Sequence, residues 1–217
     1  MRIVAMTNEG QLPMMKNMLN SAMKVGFNMK DFHCYIISAN KDAASYNTSE
    51  FKSLTTRKLE VILINMRLWD NVLWVDNDIV FFQNCVDDIF RYPGAFVMQD
   101  DLWGYCTGFF LVRPTAITNA FMQKCIDDMN SSKFIARNDQ HVFNSLIKTP
   151  PFFSKTMLPQ EEYPNGSVYF KSTDHSKAKM LHNNYLNTTA EKVQRFKDNG
   201  MWDESDDAFN LVNKYYM

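Results

Sequence analysis

The residues with the sharpest chemical content are Asp76-Asn77-Asp78, which close the continuous apolar run Val72-Leu73-Trp74-Val75. In an extended chain, residues i and i+2 point to the same side. The spacing therefore brings two carboxylates together just past a buried strand, at the edge where open α/β sheets bind ligands. Carboxylates that close repel unless a proton or cation lies between them. Their oxygens suit Mg²⁺ or Mn²⁺, ions that in turn hold phosphate chains. A solvated turn after a strand leaves the same bare pattern, and the buried run before it is what favours the ligand reading.

Other residues offer chemistry in weaker contexts. His182 lies in Met180-Leu181-His182-Asn183-Asn184-Tyr185; neutral imidazole ligates metals, but a lone histidine also serves as a structural hydrogen-bonding group. Asp139-Gln140 places an acid in the first turn of a helix, where it complements the dipole or stands as an active-site carboxylate on a rigid helix end. Asp100-Asp101 follows an apolar run and either reaches the same edge or turns into solvent. Gly108 permits close approach of a ligand or another backbone, or marks a bulge. Arg57-Lys58 is a phosphate clamp or a solvated face. His33, His141 and His175 carry no such context.

The elements that position these residues alternate strand and helix. Residues 2–6 form a first strand, followed by Leu12, Met15, Met18, Leu19, Ala22 and Met23 at helical spacing and a stop at Gly26. Further strands are expected at 34–37, 72–75, 95–98 and 108–112, and a helix over 54–68. Pro114 opens the next helix from its first turn, and Asn138 caps another. Short strands are expected near 168–170 and 180–182. Thr188-Thr189-Ala190-Glu191 reads as a capping box, and Phe209, Val212 and Tyr216 as the face of a last amphipathic helix. This order predicts an α/β fold with a mostly parallel sheet and a mixed C-terminal half, with no linker and no repeat.

Composition narrows the functions. The 217 residues carry 23 Lys+Arg against 24 Asp+Glu, a net charge of −1. Near-neutrality argues against nucleic acid as a partner bound through bulk charge and against a polybasic membrane surface, so a bound phosphate must be neutralised locally. Gly and Pro number 7 each, about half the usual share, and the 15 methionines read as flexible core filler. Cys34, Cys85, Cys106 and Cys125 are widely spaced, without a zinc or redox motif, which fits a reducing compartment. No apolar run reaches the roughly 18 residues of a membrane span, and the N-terminus does not read as a signal peptide. Phosphate-binding P-loop, dinucleotide G-x-G-x-x-G and G-x-S-x-G motifs are absent.

Taken in order, the motifs resemble those of the GT-A nucleotide-diphospho-sugar transferases, in particular the branch whose C-terminal motif reads H-N-N-W. The string runs from Thr7-Asn8 through Arg57-Lys58, Trp74-Val75-Asp76-Asn77-Asp78 and Thr107-Gly108-Phe109-Phe110. It continues through Asn138-Asp139-Gln140-His141 and Tyr163-Pro164-Asn165-Gly166 to Leu181-His182-Asn183-Asn184-Tyr185. The compact form also resembles the glycosyltransferase domain of chlorovirus capsid-glycosylation enzymes. The resemblance implies one GT-A domain over 1–217, with a Rossmann-like nucleotide-binding half (1–100) and an acceptor-side half (101–217). It implies transfer of a hexose-type sugar from a nucleotide-diphosphate donor, UDP above all, to a glycan or glycoprotein, with retention and with Mn²⁺ or Mg²⁺ as cofactor. By the same resemblance Asp78 ligates the ion, Asp76 the ion or the ribose, and His182 is a further ligand. Thr7 and Asn8 lie beside the nucleotide, Lys58 near the donor, and Asp139 at the donor sugar or acceptor, with Gln140 beside it. Arg57, Asn77, Gly108 and Lys197 complete the donor-binding set, and Asp100 and Asp101 join Asp139 as candidate catalytic acids.

Two departures stand out: Phe81-Phe82-Gln83-Asn84-Cys85 replaces the family's W-L-x-D-P, and Tyr185 its usual Trp. Both bear on the acceptor rather than on the metal. Without the Golgi anchor of many relatives, the expected location is the cytoplasm, the host's if the protein is viral. Two rival functions share the Asp76–Asp78 pattern: a phosphohydrolase with Asp76 as nucleophile and Asp78 as acid, and a sugar-nucleotide-binding domain without turnover.

Overall fold

The computed structural model describes residues 2–37, 48–132, 137–150 and 152–217. The chain opens with β1 (Arg2–Asn8), α1 (Leu12–Lys24) and β2 (Phe32–Ile37). Helix α1 ends at Lys24, and Gly26 adopts the left-handed backbone (φ +84°) that turns the chain toward β2. Next come α2 (Ser49–Leu68), β3 (Val72–Val75), β4 (Ile79–Phe81), α3 (Val86–Arg91), β5 (Phe96–Asp100) and β6 (Tyr105–Val112). The second half adds α4 (Ala116–Ser131), α5 (Asp139–Leu146), β7 (Lys155–Leu158), α6 (Gly166–Tyr169), β8 (Met180–His182), α7 (Thr189–Asp198) and β9 (Asn213–Tyr216).

Seven strands form one sheet in the order β7-β5-β6-β3-β1-β2-β9, and β4 pairs with β8 in a separate two-stranded ribbon. Strand β6 is antiparallel to both its neighbours; every other adjacent pair in the large sheet is parallel. Strand alternation explains why both faces are covered. Ile3, Ala5, Leu73 and Val75 join one core with Met15, Met18 and Leu19 of α1. Val4, Val72 and Trp74 join a second core with Leu59, Ile62 and Met66 of α2, Met122 of α4 and Phe143 of α5. Strands buried on both faces read as continuous apolar runs, as 72–75 does. Met15, Met18, Met98, Met122, Met129 and Met180 are fully buried core fillers, and all four cysteines are buried and unpaired. Among the described residues no helix is long and apolar enough to cross a membrane.

Three local expectations change. Phe209, Val212 and Tyr216 do not share a helix: one 3-10 turn (Phe209–Leu211) gives way to β9, which pairs in parallel with the otherwise open edge of β2. An unpaired edge leaves backbone donors and acceptors without partners, and Tyr215 adds stacking on Tyr35 (ring centroids 4.9 Å apart) and His33 (5.5 Å). Residues 168–170 are not a strand. Asn165 accepts from Val168 N (3.0 Å) and caps the short helix α6 instead. Helix α4 begins at Ala116 under a Thr115–Thr118 capping box, so Pro114 lies outside the first turn. The expected caps at Asn138 and Thr188 are present, each side chain accepting from a backbone N–H of the first turn.

Phe96 of β5 is fully buried among Phe110, Phe121, Phe143 and Phe153, with ring centroids 5.2–6.0 Å away. Replacing it by alanine leaves a cavity where β5, α4 and α5 meet. Phe96→Ala is expected to cost about 3–5 kcal/mol, read as a lowered urea midpoint with an unchanged slope.

Candidate active site

Strand β3 stops at Val75, and the chain turns at Asn77 and Asp78 before β4. The two carboxylates therefore converge through a turn rather than through the i, i+2 alternation of an extended strand. Each residue of the turn is held. Asp76 N donates to Gly108 O (2.8 Å), Asn77 Nδ2 to Met6 O (2.9 Å), and Asn183 N to Asp78 O (2.7 Å). Because β6 runs antiparallel, its amino end reaches the same edge as the carboxyl ends of β1 and β3. This sets Gly108 against Asp76. A Cβ on Gly108 would overlap His182 Cε1 and stand 2.8 Å from Asp76 Oδ2, so any larger residue there must push the imidazole or the carboxylate aside.

The ribbon brings His182 to this point by pairing it with Ile79. One ligand atom each from Asp76, Asp78 and His182 lie within 4.8 Å of one another. The imidazole is oriented from behind. Gln99 Nε2 donates to Tyr163 O (3.0 Å), which turns Gln99 Oε1 toward His182 Nδ1 at 2.8 Å. An amide oxygen only accepts, so Nδ1 carries the proton and Nε2 faces the carboxylates. This is the backing that metal-ligating histidines characteristically have. Cys106 Sγ also lies 3.5 Å from Nδ1.

Buried acids need counter-charge, and three residues supply it. Lys58 of α2 bridges Asp76 Oδ1 and Asp139 Oδ2, both at 3.0 Å, and its side chain is only 8% exposed. Lys192 of α7 lies 2.7 Å from Asp78 Oδ2, and His182 Nε2 lies 3.2 Å from Asp78 Oδ1. Burial alone would lower the Lys58 pKa, but Asp139 and Asp76 outweigh it and raise it. For Asp78, burial pushes upward, and Lys192 and His182 reverse this and hold it well below the usual carboxylate range. For His182, burial pulls downward, and Asp78 and Cys106 lift it well above 6.5. Asp76 is raised: burial dominates over Lys58, and the charge of Asp78 adds to the rise. Two carboxylates and a borderline imidazole nitrogen form a donor set that fits a divalent cation.

These groups open into a cavity of about 480 Å³. Asp76, Asn77, Asp78, Gly108, His182, Lys58, Asp139, Gln140 and Asp101 all line it. Asp139 accepts from Thr107 Oγ1 (2.7 Å); Gln140 accepts from Thr107 N (3.2 Å) and donates to Asp101 Oδ2 (2.6 Å). Five other sequence candidates lie off the cavity. Thr7 and Asn8 are buried, and Asn8 holds the turn after β1 by accepting from Gln11 N (3.0 Å). Asp100 accepts from Leu102 N (2.8 Å). Arg57 pairs with Glu60 at 2.7 Å on the outer surface of α2. Lys197 stands over the Trp202 ring, 5.5 Å from its centroid. On a helix, five residues advance about 140° around the axis, so Lys192 faces the acids and Lys197 does not.

Sequence reasoning did not single out Lys192, Gln99, Cys106 or Asn184, nor Trp74 Nε1, which donates to Asp76 Oδ1 at 2.7 Å. Trp74 and Asp76 are two apart, so strand alternation was a signal for that pair, and the H-N-N motif was one for Asn184; nothing local marks the others.

A mostly parallel sheet covered on both faces, with an acid–acid–histidine cluster at its edge, is an arrangement that matches the GT-A fold. The chain belongs to the nucleotide-diphospho-sugar transferase family, whose sequence profile matches residues 16–196. Among its relatives is the Arabidopsis thaliana UDP-D-xylose:L-fucose alpha-1,3-D-xylosyltransferase MGP4, 27% identical over 197 residues, 78% of this chain and 55% of the plant protein. The Dictyostelium discoideum UDP-galactose:fucoside alpha-3-galactosyltransferase is 26% identical over 203 residues, 79% of this chain and 31% of that protein. The chain thus spans about half, or less, of the length of these curated relatives. Two solved structures share the fold. One is a glycosyltransferase involved in glycosylation of the major capsid of PBCV-1 (TM-score 0.62, 13% identity, 91% of this chain and 100% of that one). The other is the glycosyltransferase GlyE of Streptococcus pneumoniae (TM-score 0.61, 13% identity, 96% of this chain and 63% of that one).

Two outcomes follow from this geometry. Gly108→Ala should weaken divalent-ion binding by about tenfold or more, because it displaces the imidazole from the carboxylates; titration calorimetry with Mn²⁺ reads the change. In metal-free protein, the raised His182 pKa contributes stability that is complete below pH 6.5 and lost as pH rises through the raised value. The lowered Asp78 pKa contributes stability above pH 3.8 that is lost as pH falls through the lowered value. Melting temperature against pH in chelator should therefore fall as pH rises above 6.5, and that fall should be smaller in His182→Asn than in wild type.

Proposed function

We propose that this chain transfers a sugar from a UDP-sugar donor to a saccharide acceptor in a divalent-metal-dependent, retaining reaction. The observation that carries the reading is the convergence of Asp76, Asp78 and His182 at the rim of the cavity, in a chain of this family. Asp76, Asp78 and His182 would hold Mn²⁺ or Mg²⁺, and the ion would supply positive charge for the departing diphosphate. Lys192 faces the cavity beside Asp78 and adds a protein cation for the same charge. Asn77 Oδ1, buried and without a hydrogen-bond partner among the described residues, offers an acceptor to a hydroxyl or N–H of the nucleoside.

Retention is supported by the names of the relatives: UDP-xylose and UDP-galactose are α-linked donors, and the named products are alpha-1,3 or alpha-3 linked. Asp139 already pairs with Lys58 and accepts from Thr107, which suits it to positioning Lys58 rather than to attacking the anomeric carbon. The acceptor hydroxyl then adds on the face from which the diphosphate leaves, and its proton passes to a phosphate oxygen. The nucleotide side of this arrangement draws mainly on the 1–100 half, with His182 and Lys192 reaching it from the 101–217 half, which supplies the acceptor side. Because the named relatives act on fucose or a fucoside, a fucoside is the first acceptor to try.

The test incubates the chain with UDP-xylose or UDP-galactose and methyl α-L-fucoside, with Mn²⁺ or chelator, and follows UDP release and product linkage. Turnover should need the ion, and Asp78→Asn should lower it by about 10²–10³-fold while the melting transition persists. Metal-independent turnover, wild-type rates in Asp78→Asn, or release of phosphate from simple phosphomonoesters without a sugar donor would each overturn the reading.

A further inference from the structure

The turn at 101–104, between β5 and β6, carries the most exposed large hydrophobic side chain among the described residues: Trp103 is 91% exposed. Nothing in the donor chemistry above uses it. Yet the backbone that presents it is held from several sides. Trp103 N donates to Asp101 O (2.7 Å), Asp101 N to Gly104 O (2.9 Å) and Leu102 N to Asp100 Oδ1 (2.8 Å). Other elements hold the same turn. Gln140 Nε2 and Asn184 Nδ2 donate to the two carboxylate oxygens of Asp101 (2.6 and 3.0 Å), and Tyr185 OH donates to its carbonyl (2.8 Å).

This rim also concentrates backbone strain. Among the described residues, Leu102 (φ +66°) and Tyr185 (φ +60°) are the two non-glycine residues in the left-handed region, and the Tyr185–Asp101 bond ties one to the neighbour of the other. Strained positions of this kind persist where the surroundings enforce them and gather at ligand sites. Leu102 and Tyr185 are themselves about half exposed, so the rim shows an apolar surface beside polar groups. It is continuous with the cavity, because Asp101 and Tyr185 line both. A saccharide ring has matching faces: an apolar array of C–H bonds on one side and hydroxyls around the edge. A rigid indole offers a large flat partner for the first, at little conformational cost.

We propose that Trp103 is the acceptor platform of this site, stacking its indole on the C–H face of the acceptor saccharide beside the donor cavity. The proposal rests on the glycosyltransferase reading above. Trp103 binds substrate and takes no part in bond making.

The experiment uses the full chain with UDP and Mn²⁺. Wild type, Trp103→Ala and Trp103→Phe are compared on a panel of methyl glycosides, led by methyl α-L-fucoside, by saturation-transfer NMR and by transfer kinetics. Phe152→Ala, another exposed aromatic (67%) near the amino end of β7 and away from the cavity, is the control. Trp103→Ala should raise the acceptor KM by about tenfold or more, with kcat changed much less and UDP affinity within twofold of wild type. Trp103→Phe should recover part of the loss, and Phe152→Ala should show none. An acceptor KM within twofold of wild type in Trp103→Ala, or no glycoside binding by the wild type, overturns the platform while donor consumption still stands. Failure of the wild type to bind UDP or consume a donor overturns the underlying reading, and the platform with it.

Discussion

Mutual repulsion of carboxylates crowded at a largely buried sheet edge is the constraint on which the rest of this structure depends. Asp76, Asp78 and Asp139 gather at one sheet edge, and each is met by a specific cation: Lys58 bridges Asp76 and Asp139, while Lys192 and His182 share Asp78. These counter-charges come from α2, α7 and β8, so elements far apart in the chain are tied to a single point. Removing one cation would leave a buried charge without compensation, which costs far more than a surface ion pair contributes. On the proposed function, a divalent ion and a diphosphate would enter such a place only by redistributing these charges, so that a near-neutral protein would hold a highly charged donor through local neutralisation.

The sheet provides the geometry. Parallel β1 and β3 end at the same edge, and β6, the one strand of opposite sense, brings its amino end there too. That reversal places Gly108 and Cys106 under His182 and opens the β5–β6 turn toward the cavity. The small β4–β8 ribbon completes the arrangement by holding His182, at the end of β8, against Ile79, just past the acidic turn. Rigid strands thus fix the proposed donor side. The proposed acceptor side is a set of turns tied together through Asp101, where variation in sequence can change the ligand without disturbing the core.

Much of this was legible in the residues. The apolar run 72–75 ending in Asp76-Asn77-Asp78 located the edge, the low glycine count drew attention to Gly108, helix periodicity placed α1 and most of α2, and a capping box placed α7. Other features were not legible, for physical reasons. Phe209, Val212 and Tyr216 have helical spacing, yet the segment becomes β9 because the edge of β2 offers backbone partners that an isolated short helix lacks. Lys192 and Lys197 are alike in composition and context, and only the rotation of α7 about its axis distinguishes the one that meets Asp78. Gln99 reads as an ordinary strand residue; its importance comes from a histidine 83 positions later.

What the sequence determined by itself was local: which segments alternate or recur with a helical period, where an acid pair follows a buried strand, and that the net charge is too small for bulk attraction of phosphate. These follow from side-chain chemistry and short-range geometry, which need no knowledge of the rest of the chain. The tertiary structure alone decided which cation answers which acid, which nitrogen of His182 faces the site, and that an exposed tryptophan stands on a turn whose Asp101 lines the cavity. Those depend on strand order and helix rotation, set by burying two cores against one sheet, and no spacing along the chain encodes them directly.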